Sequence, residues 1–138
     1  MTHTSLAPHL NFRGQAREVL SFYRSVLGGD LALVTYGDAQ AAQDPAQTDE
    51  ILFGQLTSPG GLVVMAYDVQ RGLAYDQGVN SLYLSLRCAT AEEVQTFWAG
   101  LREGAEIEQD LGPSGWSPLY GKLRDRFGVV WVIDLIVP

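Results

Sequence analysis

Two oppositely charged side chains on predicted strands have the chemistry to bind anions or to move protons. Asp134 interrupts an apolar strand predicted at Val129 to Val137. A buried carboxylate there needs a partner or becomes a candidate general base, and the alternative is a position at the open edge of the sheet in water. Arg87 lies beside Ser85 near the end of another predicted strand. Its planar guanidinium suits a carboxylate or a phosphate, and the alternative is an ion pair at the strand end. Both residues are therefore candidates for ligand binding.

A histidine, the single cysteine and a tryptophan carry side chains suited to acid–base, nucleophilic or stacking chemistry. His9, on the predicted first strand, is either a general base or ligand, or a residue that makes one structural hydrogen bond. Cys88 ends a strand with no evident histidine partner, which favours a packed, unreactive thiol. Trp116 follows the turn-rich loop 112–115, where an aromatic ring either lines a pocket mouth or caps an edge of the core.

Alternation along the strands indicates which side chains face away from the helices. In the strand predicted at Asn80 to Cys88, leucines alternate with Tyr83, Ser85 and Arg87. The leucine face suits packing under a helix, and the mixed polar face suits a solvated or ligand-holding surface. The candidate ligand-binding residues are His9, Met65, Tyr67, Tyr83, Arg87, Trp116, Tyr120 and Asp134.

The two halves of the chain repeat each other. Residues 16–29 and 91–104 share Ala, Glu, Val, Phe and Gly at a constant offset of 75 positions. Residues 53–64 and 120–131 form a second echo, with Phe-Gly-Gln-Leu answered by Tyr-Gly-Lys-Leu, at an offset of 67 positions. The first half therefore carries eight extra residues, which best fit the loop predicted at Asp38 to Glu50. Such a repeat indicates a duplicated module.

Each half is predicted to contain one helix and four strands, in the order strand, helix, strand, strand, strand. The first helix has an apolar stripe from Ala16 to Leu27 and ends at Gly28-Gly29. The second begins at a capping box, Thr90 to Glu93. On the first strand, His9 and Asn11 are predicted to face away from the helix. The other strands are predicted at Leu31 to Tyr36, Ile51 to Thr57, Leu62 to Asp68, Asn80 to Cys88, Ile107 to Leu111, Leu119 to Arg124 and Val129 to Val137.

Length and charge limit the classes of partner. The chain has 138 residues and a net charge of −7, which predicts one domain, residues 1–138, and argues against a nucleic-acid partner because phosphates require clustered basic residues. One cysteine excludes an internal disulfide and fits a reducing compartment. The first residues lack the pattern of a signal peptide, and the longest apolar run, Val129 to Ile133, is too short for a membrane span. These features predict a cytoplasmic protein with no membrane association.

The sequence resembles the PhnB-like branch of the vicinal oxygen chelate superfamily, which includes glyoxalase I, bleomycin-resistance proteins and extradiol dioxygenases. The matching motifs are Pro8 to Gly14, Ala16, Glu18, Phe22-Tyr23, Leu27 to Asp30, Thr35 to Asp38, Trp116, Tyr120-Gly121, Asp125 to Gly128 and Trp131. The resemblance implies an α+β fold in which two βαβββ modules form a curved mixed sheet around a central cleft. Module one would span about 5–68 and module two about 79–138, and the resemblance also implies a homodimer.

The resemblance also allows a test for a metal site, because metal-dependent members take His and Glu ligands from the first and fourth strands of each module. The corresponding positions here are His9, Met65, Tyr83 and Val132. A thioether and an aliphatic side chain do not suit a hard divalent cation. PhnB-like relatives also often carry His and Glu where this chain has Phe53 and Gln55. We therefore expect no metal or other cofactor.

These observations favour a protein that binds a small apolar or aromatic molecule in a metal-free cleft. The segment Asp68 to Tyr75, with the loop Asp38 to Glu50, is a candidate lid over that cleft. One alternative is a metal-dependent enzyme, a glyoxalase-like lyase or dioxygenase. A second alternative is a non-catalytic dimeric structural protein.

Overall fold

The computed structural model describes residues 3–138, and the chain divides between Gln77 and Gly78 into two compact units. Unit 1 precedes this division and unit 2 follows it. Each unit consists of one helix and one four-stranded mixed sheet. Neither helix of residues 3–138 reaches the length and apolar character that crossing a bilayer would require.

Unit 1 contains the first βαβββ module. Its elements are β1 (His9–Phe12), α1 (Ala16–Leu27), β2 (Asp30–Thr35), β3 (Ile51–Thr57) and β4 (Val63–Asp68). The strand order is β1-β4-β3-β2, with β1 parallel to β4 and the other pairs antiparallel. We call this sheet 1. A short 3₁₀ turn, Pro45–Gln47, lies in the segment between β2 and β3.

Unit 2 repeats the same module. Its elements are β5 (Tyr83–Cys88), α2 (Ala91–Leu101), β6 (Glu106–Gly112), β7 (Tyr120–Arg124) and β8 (Val130–Leu135). The strand order is β5-β8-β7-β6, which we call sheet 2, and again only the first and last strands of the module run parallel. The predicted α+β class and the βαβββ order in each half are therefore confirmed.

The start of β5 is the largest difference from the predicted strand ends. The strand predicted from Asn80 begins at Tyr83, and Leu82 is 61% exposed and so does not lie under the helix. Asn80 has a φ of 57°, the left-handed conformation of a turn, which ends the alternating pattern on that side. The other strand ends lie within two residues of the predicted ones, and both ends of β3 coincide with them.

The helices pack by the predicted apolar stripes. On α1 the buried residues are Ala16, Val19, Leu20, Tyr23 and Leu27, and on α2 they are Val94, Trp98 and Leu101. The N-terminus of α2 is capped by Thr90, whose Oγ1 accepts the Glu93 N–H at 3.1 Å. The Glu93 carboxylate lies 3.3 Å from the same hydroxyl and makes no bond to the Thr90 N–H, so half of the predicted capping box forms.

The N-terminus of α1 is capped by a residue from β4. Gln15, at the N-cap, makes no capping side-chain bond. The buried carboxylate of Asp68 instead accepts the N–H groups of Gly14 at 2.7 Å and Ala16 at 3.1 Å through Oδ1, and that of Ile51 at 2.9 Å through Oδ2. A negative charge at this end also interacts favourably with the helix dipole. One carboxylate thus connects β4, β3 and the start of α1.

A glycine lies at the same place under each helix, on β3 and on β7. A Cβ on Gly54 would meet Leu20 Cδ1 at 2.6 Å and the Ala66 carbonyl at 2.7 Å, and one on Gly121 would meet Trp98 Cζ3 at 2.7 Å. These distances are too short for any side chain. The glycine in the repeated Phe-Gly-Gln-Leu and Tyr-Gly-Lys-Leu motifs is therefore explained by close approach of the helix to the sheet.

We expect Gly121→Ala to lower the free energy of unfolding by about 1–3 kcal/mol, because the added methyl group overpacks the contact with Trp98. The control is Gly112→Ala, on β6, where a Cβ meets nothing within 4 Å. Urea unfolding followed by tryptophan fluorescence measures both, since all three tryptophans lie in unit 2. Equal stability of the two variants would contradict this account.

We expect Asp68→Asn to lower the free energy of unfolding by about 2–4 kcal/mol. The substitution replaces one carboxylate oxygen with an NH₂ group, so one backbone N–H loses its acceptor and faces a second donor. Asp30→Asn, which changes an exposed carboxylate at the start of β2, is the matched control. Far-UV circular dichroism in urea reports the loss of α1 in both. A variant at position 68 as stable as the control would show that the cap is dispensable.

Candidate functional site

Each helix covers one face of its sheet, so strand alternation leaves the other face without a helix. We call these the open faces. In sheet 1 the open face carries His9, Asn11, Phe53, Gln55, Thr57, Met65 and Tyr67; in sheet 2 it carries Tyr83, Ser85, Arg87, Tyr120, Lys122, Arg124, Val132 and Asp134. Seven of the eight candidate ligand-binding residues lie on these faces, and Trp116 lies in the loop that precedes β7.

His9, Met65 and Tyr67 lie together on the open face of sheet 1. His9 pairs in register with Met65, and its ring lies edge-on to that of Tyr67, with centroids 5.1 Å apart. His9 Nδ1 lies 3.0 Å from Asn11 Oδ1, so a proton on Nδ1 leaves Nε2 with a free lone pair. The hydrogen bond between His9 and Asn11 corresponds to the structural alternative given for His9 in the sequence analysis. Gln55 is the next residue across the sheet from Met65.

The strand register corrects one position in the set tested for a metal site. Val132 pairs with Ser85, as Met65 pairs with His9, so Ser85 and not Tyr83 is the unit 2 counterpart of His9. The repeat is therefore offset by 76 positions on this strand, one more than on the helix that follows. A thioether, an aliphatic side chain and a neutral hydroxyl do not fit a hard divalent cation. Within residues 3–138 no group of three or more His, Cys, Asp or Glu side chains could hold a metal ion.

One end of sheet 2 carries a row of four side chains, which are Arg87, Asp134, Tyr120 and Trp116. Asp134 pairs in register with Arg87 on one side and with Tyr120 on the other. Arg87 Nε lies 3.2 Å from Asp134 Oδ1, and the carboxylate is almost wholly buried while the arginine side chain is 54% exposed. Both charges therefore take the ion-pair alternative, and Asp134 is not an unpaired general base. Trp116, 62% exposed, lies edge-on to Tyr120 with ring centroids 5.1 Å apart.

Tyr83 belongs to a separate group at the other end of the same face, which we call the basic cluster: Asn80, Tyr83, Glu108, Lys122 and Arg124. Lys122 Nζ lies 4.6 Å from the centroid of the Tyr83 ring and 3.3 Å from its hydroxyl. Lys122 and Arg124 each approach Glu108 at 3.4 Å. The hydrogen bond to Tyr83, followed by that to Glu108, raises the pKa of Lys122, so the ammonium stays charged.

Three members of the basic cluster, Lys122, Arg124 and Glu108, are not among the candidate residues predicted from the sequence. The signal for the first two was present, because Tyr120, Lys122 and Arg124 alternate along β7 and so share one face. Glu108 had no such signal. The register of β6 against β7 shifts between Ile107 and Gln109, and local alternation does not predict which face a residue at such an irregularity takes.

The two segments predicted as a lid are fastened to each other within unit 1. Gln47 is buried: its Nε2 donates to the Val69 carbonyl at 2.9 Å and its Oε1 accepts the Arg71 N–H at 3.1 Å. Arg71 also forms an ion pair with Glu50 at 2.9 Å. A shallow pocket of about 270 Å³ lies beside them, and its lining residues are Gln43, Gln70, Gly72 and Leu73.

Cys88 is a packed thiol, as the sequence predicts. It ends β5, is 3% exposed and lies on the helix side of sheet 2. Burial, followed by the charges of Glu93 and Asp134, raises the pKa of Cys88 from 9.0 to about 11. A thiol that stays protonated is a poor nucleophile. Cys88 is therefore not a candidate catalytic residue.

Three solved structures share the fold. Protein PA1353 from Pseudomonas aeruginosa is 31% identical, with 96% of this chain and 98% of that chain covered and a TM-score of 0.83. A putative 3-demethylubiquinone-9 3-methyltransferase, PhnB protein, from Bacillus cereus is 24% identical, with 96% and 100% covered and a TM-score of 0.73. A glyoxalase/bleomycin resistance protein/dioxygenase family enzyme from Burkholderia phytofirmans PsJN is 14% identical, with 95% and 97% covered and a TM-score of 0.65.

The sequence matches one family profile over most of its length. The profile is that of 3-demethylubiquinone-9 3-methyltransferase, and it aligns with residues 4–134. With the structural matches, it confirms the glyoxalase/bleomycin-resistance fold expected from the motifs.

We expect the Cys88 thiol of the native protein to be inert to Ellman's reagent at pH 8 and to react fully after unfolding. Because the folded pKa lies above the unfolded value of 9.0, protonation of Cys88 stabilises the fold below pH 9, and this contribution is lost as the pH rises towards 11.

Urea titrations from pH 8 to 11, compared with Cys88→Ala, isolate this contribution from that of Tyr36, whose pKa burial also raises. Identical slopes of stability against pH in the two proteins would contradict it.

Proposed function

Because the chain belongs to the 3-demethylubiquinone-9 3-methyltransferase family, the PhnB-like family that its motifs resemble, we propose that it binds a small apolar or aromatic molecule on the open faces of its sheets, without a divalent metal. The homodimer and the cytoplasmic location predicted from the sequence are part of this proposal.

One observation carries the proposal. Aromatic rings lie on the open faces, outside the helix-covered core, and each is held in a defined orientation by a neighbour. Tyr67 contacts His9, and Tyr120 contacts Trp116, in both cases edge to face at 5.1 Å. Exposed rings with polar groups beside them are typical of sites that bind small organic molecules.

The residues present do not favour the metal-dependent alternative. The register brings His9 beside Met65 and Ser85 beside Val132, which is one imidazole among side chains that are poor ligands for Zn²⁺, Mn²⁺ or Fe²⁺. A lyase or dioxygenase of the glyoxalase type would need a ligand set that these four positions do not offer.

The family is named after a methyl-transfer reaction, and such a reaction would require a bound methyl donor. Cofactors of the nucleotide type are commonly held where a strand leads into a helix and free backbone N–H groups meet the ligand. In unit 1 the N–H groups of Gly14 and Ala16 already donate to Asp68, and in unit 2 Thr90 caps α2. These two turns do not fit such a cofactor, and we assign no methyl transfer to this chain.

We expect a thermal-shift screen of aromatic antibiotics, small phenols and quinones to give at least one compound that raises the melting temperature further as its concentration increases. Tyr67→Leu or Tyr120→Leu should weaken that shift, according to which open face the compound occupies. Phe97→Leu, a matched aromatic change on α2, should leave it unaltered. If no compound in these classes shifts the melting temperature, the proposal fails.

A further inference from the structure

We propose that the basic cluster on the open face of sheet 2 binds the carboxylate group of an aromatic acid, held by Lys122 and Arg124. This inference rests on the proposed function and narrows it, because it specifies an anionic aromatic compound as the ligand and one end of one sheet as the place where its charge is bound.

Two neighbouring cations lie on this face of an otherwise acidic protein. The chain carries nine basic residues against sixteen acidic ones, and its single lysine is Lys122. Three of the nine, Arg87, Lys122 and Arg124, lie on the open face of sheet 2, where Arg87 is paired with Asp134 and Glu106 lies opposite Arg124 in the register. Lys122 and Arg124 are the two cations that lie close together, and adjacent cations attract anions even when the net charge of the protein is negative.

Lys122 is oriented towards the open face by a tyrosine. The Tyr83 hydroxyl donates to Asn80 Oδ1 at 3.1 Å, so its oxygen accepts a hydrogen bond from Lys122 Nζ at 3.3 Å. The ammonium also lies 4.6 Å from the centroid of the same ring, within range of a cation–π interaction. These contacts reduce the freedom of a flexible side chain before any ligand arrives, which favours binding.

Arg124 is fixed beside it by two further hydrogen bonds. Its NH2 group donates to Asn80 Oδ1 at 3.0 Å and its NH1 group donates to the Gly128 carbonyl at 3.3 Å. Asn80 thus accepts from both Tyr83 and Arg124. The two cations are held next to each other at a distance set by the fold, which is what binding a two-oxygen group requires.

The carboxylate of Glu108 contacts both cations only at long distance. Glu108 Oε1 lies 3.4 Å from Lys122 Nζ and Glu108 Oε2 lies 3.4 Å from the Arg124 NH2 group, longer than strong charge-assisted hydrogen bonds. Lys122 and Arg124 share this one carboxylate at ion-pair distance, and Glu106, exposed and opposite Arg124 in the register, adds a second carboxylate to the same face. The long contacts to Glu108 leave both cations able to take the carboxylate of a ligand in its place.

Apolar surface lies next to the cations, where the ring of an aromatic acid would rest. Val132 lies between Lys122 on one neighbouring strand and Ser85 on the other. The Tyr83 side chain is 38% exposed and borders the same area. An aromatic ring over Val132 and Tyr83 would leave its carboxylate within reach of Lys122.

Isothermal titration calorimetry with a matched pair of ligands tests the inference. The probes are 1-naphthoate and 1-naphthamide, which share the ring system and differ in charge, titrated at low ionic strength. We expect the native protein to bind naphthoate about tenfold more tightly, because the charge-assisted bonds exist for the anion alone.

Two variants should change this preference in opposite directions. Lys122→Met should weaken naphthoate binding about tenfold and leave naphthamide within about twofold, whereas Glu108→Gln, which removes the competing carboxylate, should strengthen naphthoate binding about threefold. The control is Arg102→Gln, which also removes one positive charge from unit 2 but at the C-cap of α2. It should leave both affinities unchanged.

The outcomes separate this inference from the proposed function. Equal binding of the two probes, or no opposite effect of Lys122→Met and Glu108→Gln, overturns the carboxylate site and leaves the proposed binding of aromatic molecules standing. If neither probe binds and the wider screen of aromatic compounds is also negative, the proposed function fails and the carboxylate site fails with it.

Discussion

One helix can cover only one face of a four-stranded sheet, and the rest of each unit follows from that constraint. Gly54 and Gly121 remove the side chain at the point of closest contact, so that α1 and α2 lie directly against the middle of their sheets. Alternation then sends every second residue of each strand to the opposite face. The same residues that build the core by packing under the helix therefore determine, by exclusion, which side chains are left for a ligand.

The sequence predicts well which strand residues lie under the helix and which lie on the open face, because this division depends on local periodicity. The burial of Leu10 and Phe12 against the exposure of His9 and Asn11 follows from alternation alone. Contacts between strands that are distant in the chain do not follow from alternation. That Arg87 meets Asp134, and that Ser85 is the counterpart of His9, depends on register, which alternation constrains only to the nearest two residues. The capping of α1 by Asp68 is not predictable for a related reason, since its partners at the start of the helix, Gly14 and Ala16, lie more than fifty positions away in the chain.

The two units have one architecture and different chemistry. In sheet 1 the open face carries His9 and, at its edge, the exposed Asp30, beside amides, hydroxyls and a thioether. In sheet 2 two ion-paired groups occupy the ends of the open face, with Val132 between them. The glycine and the helix stripe recur in both halves, while the open-face residues have diverged. Core positions are limited by packing volume, and open-face positions are free of that limit.

The way in which each helix is capped has a consequence for how the protein is made. Thr90 caps α2 from within the same short segment, so that helix can start as soon as its own residues exist. The first turn of α1 instead waits for Asp68, 52 residues further along the chain than Ala16. A ribosome adds residues one at a time. The nascent first half must therefore pass through a stage with its helix start unsatisfied, until the last strand of that half has emerged.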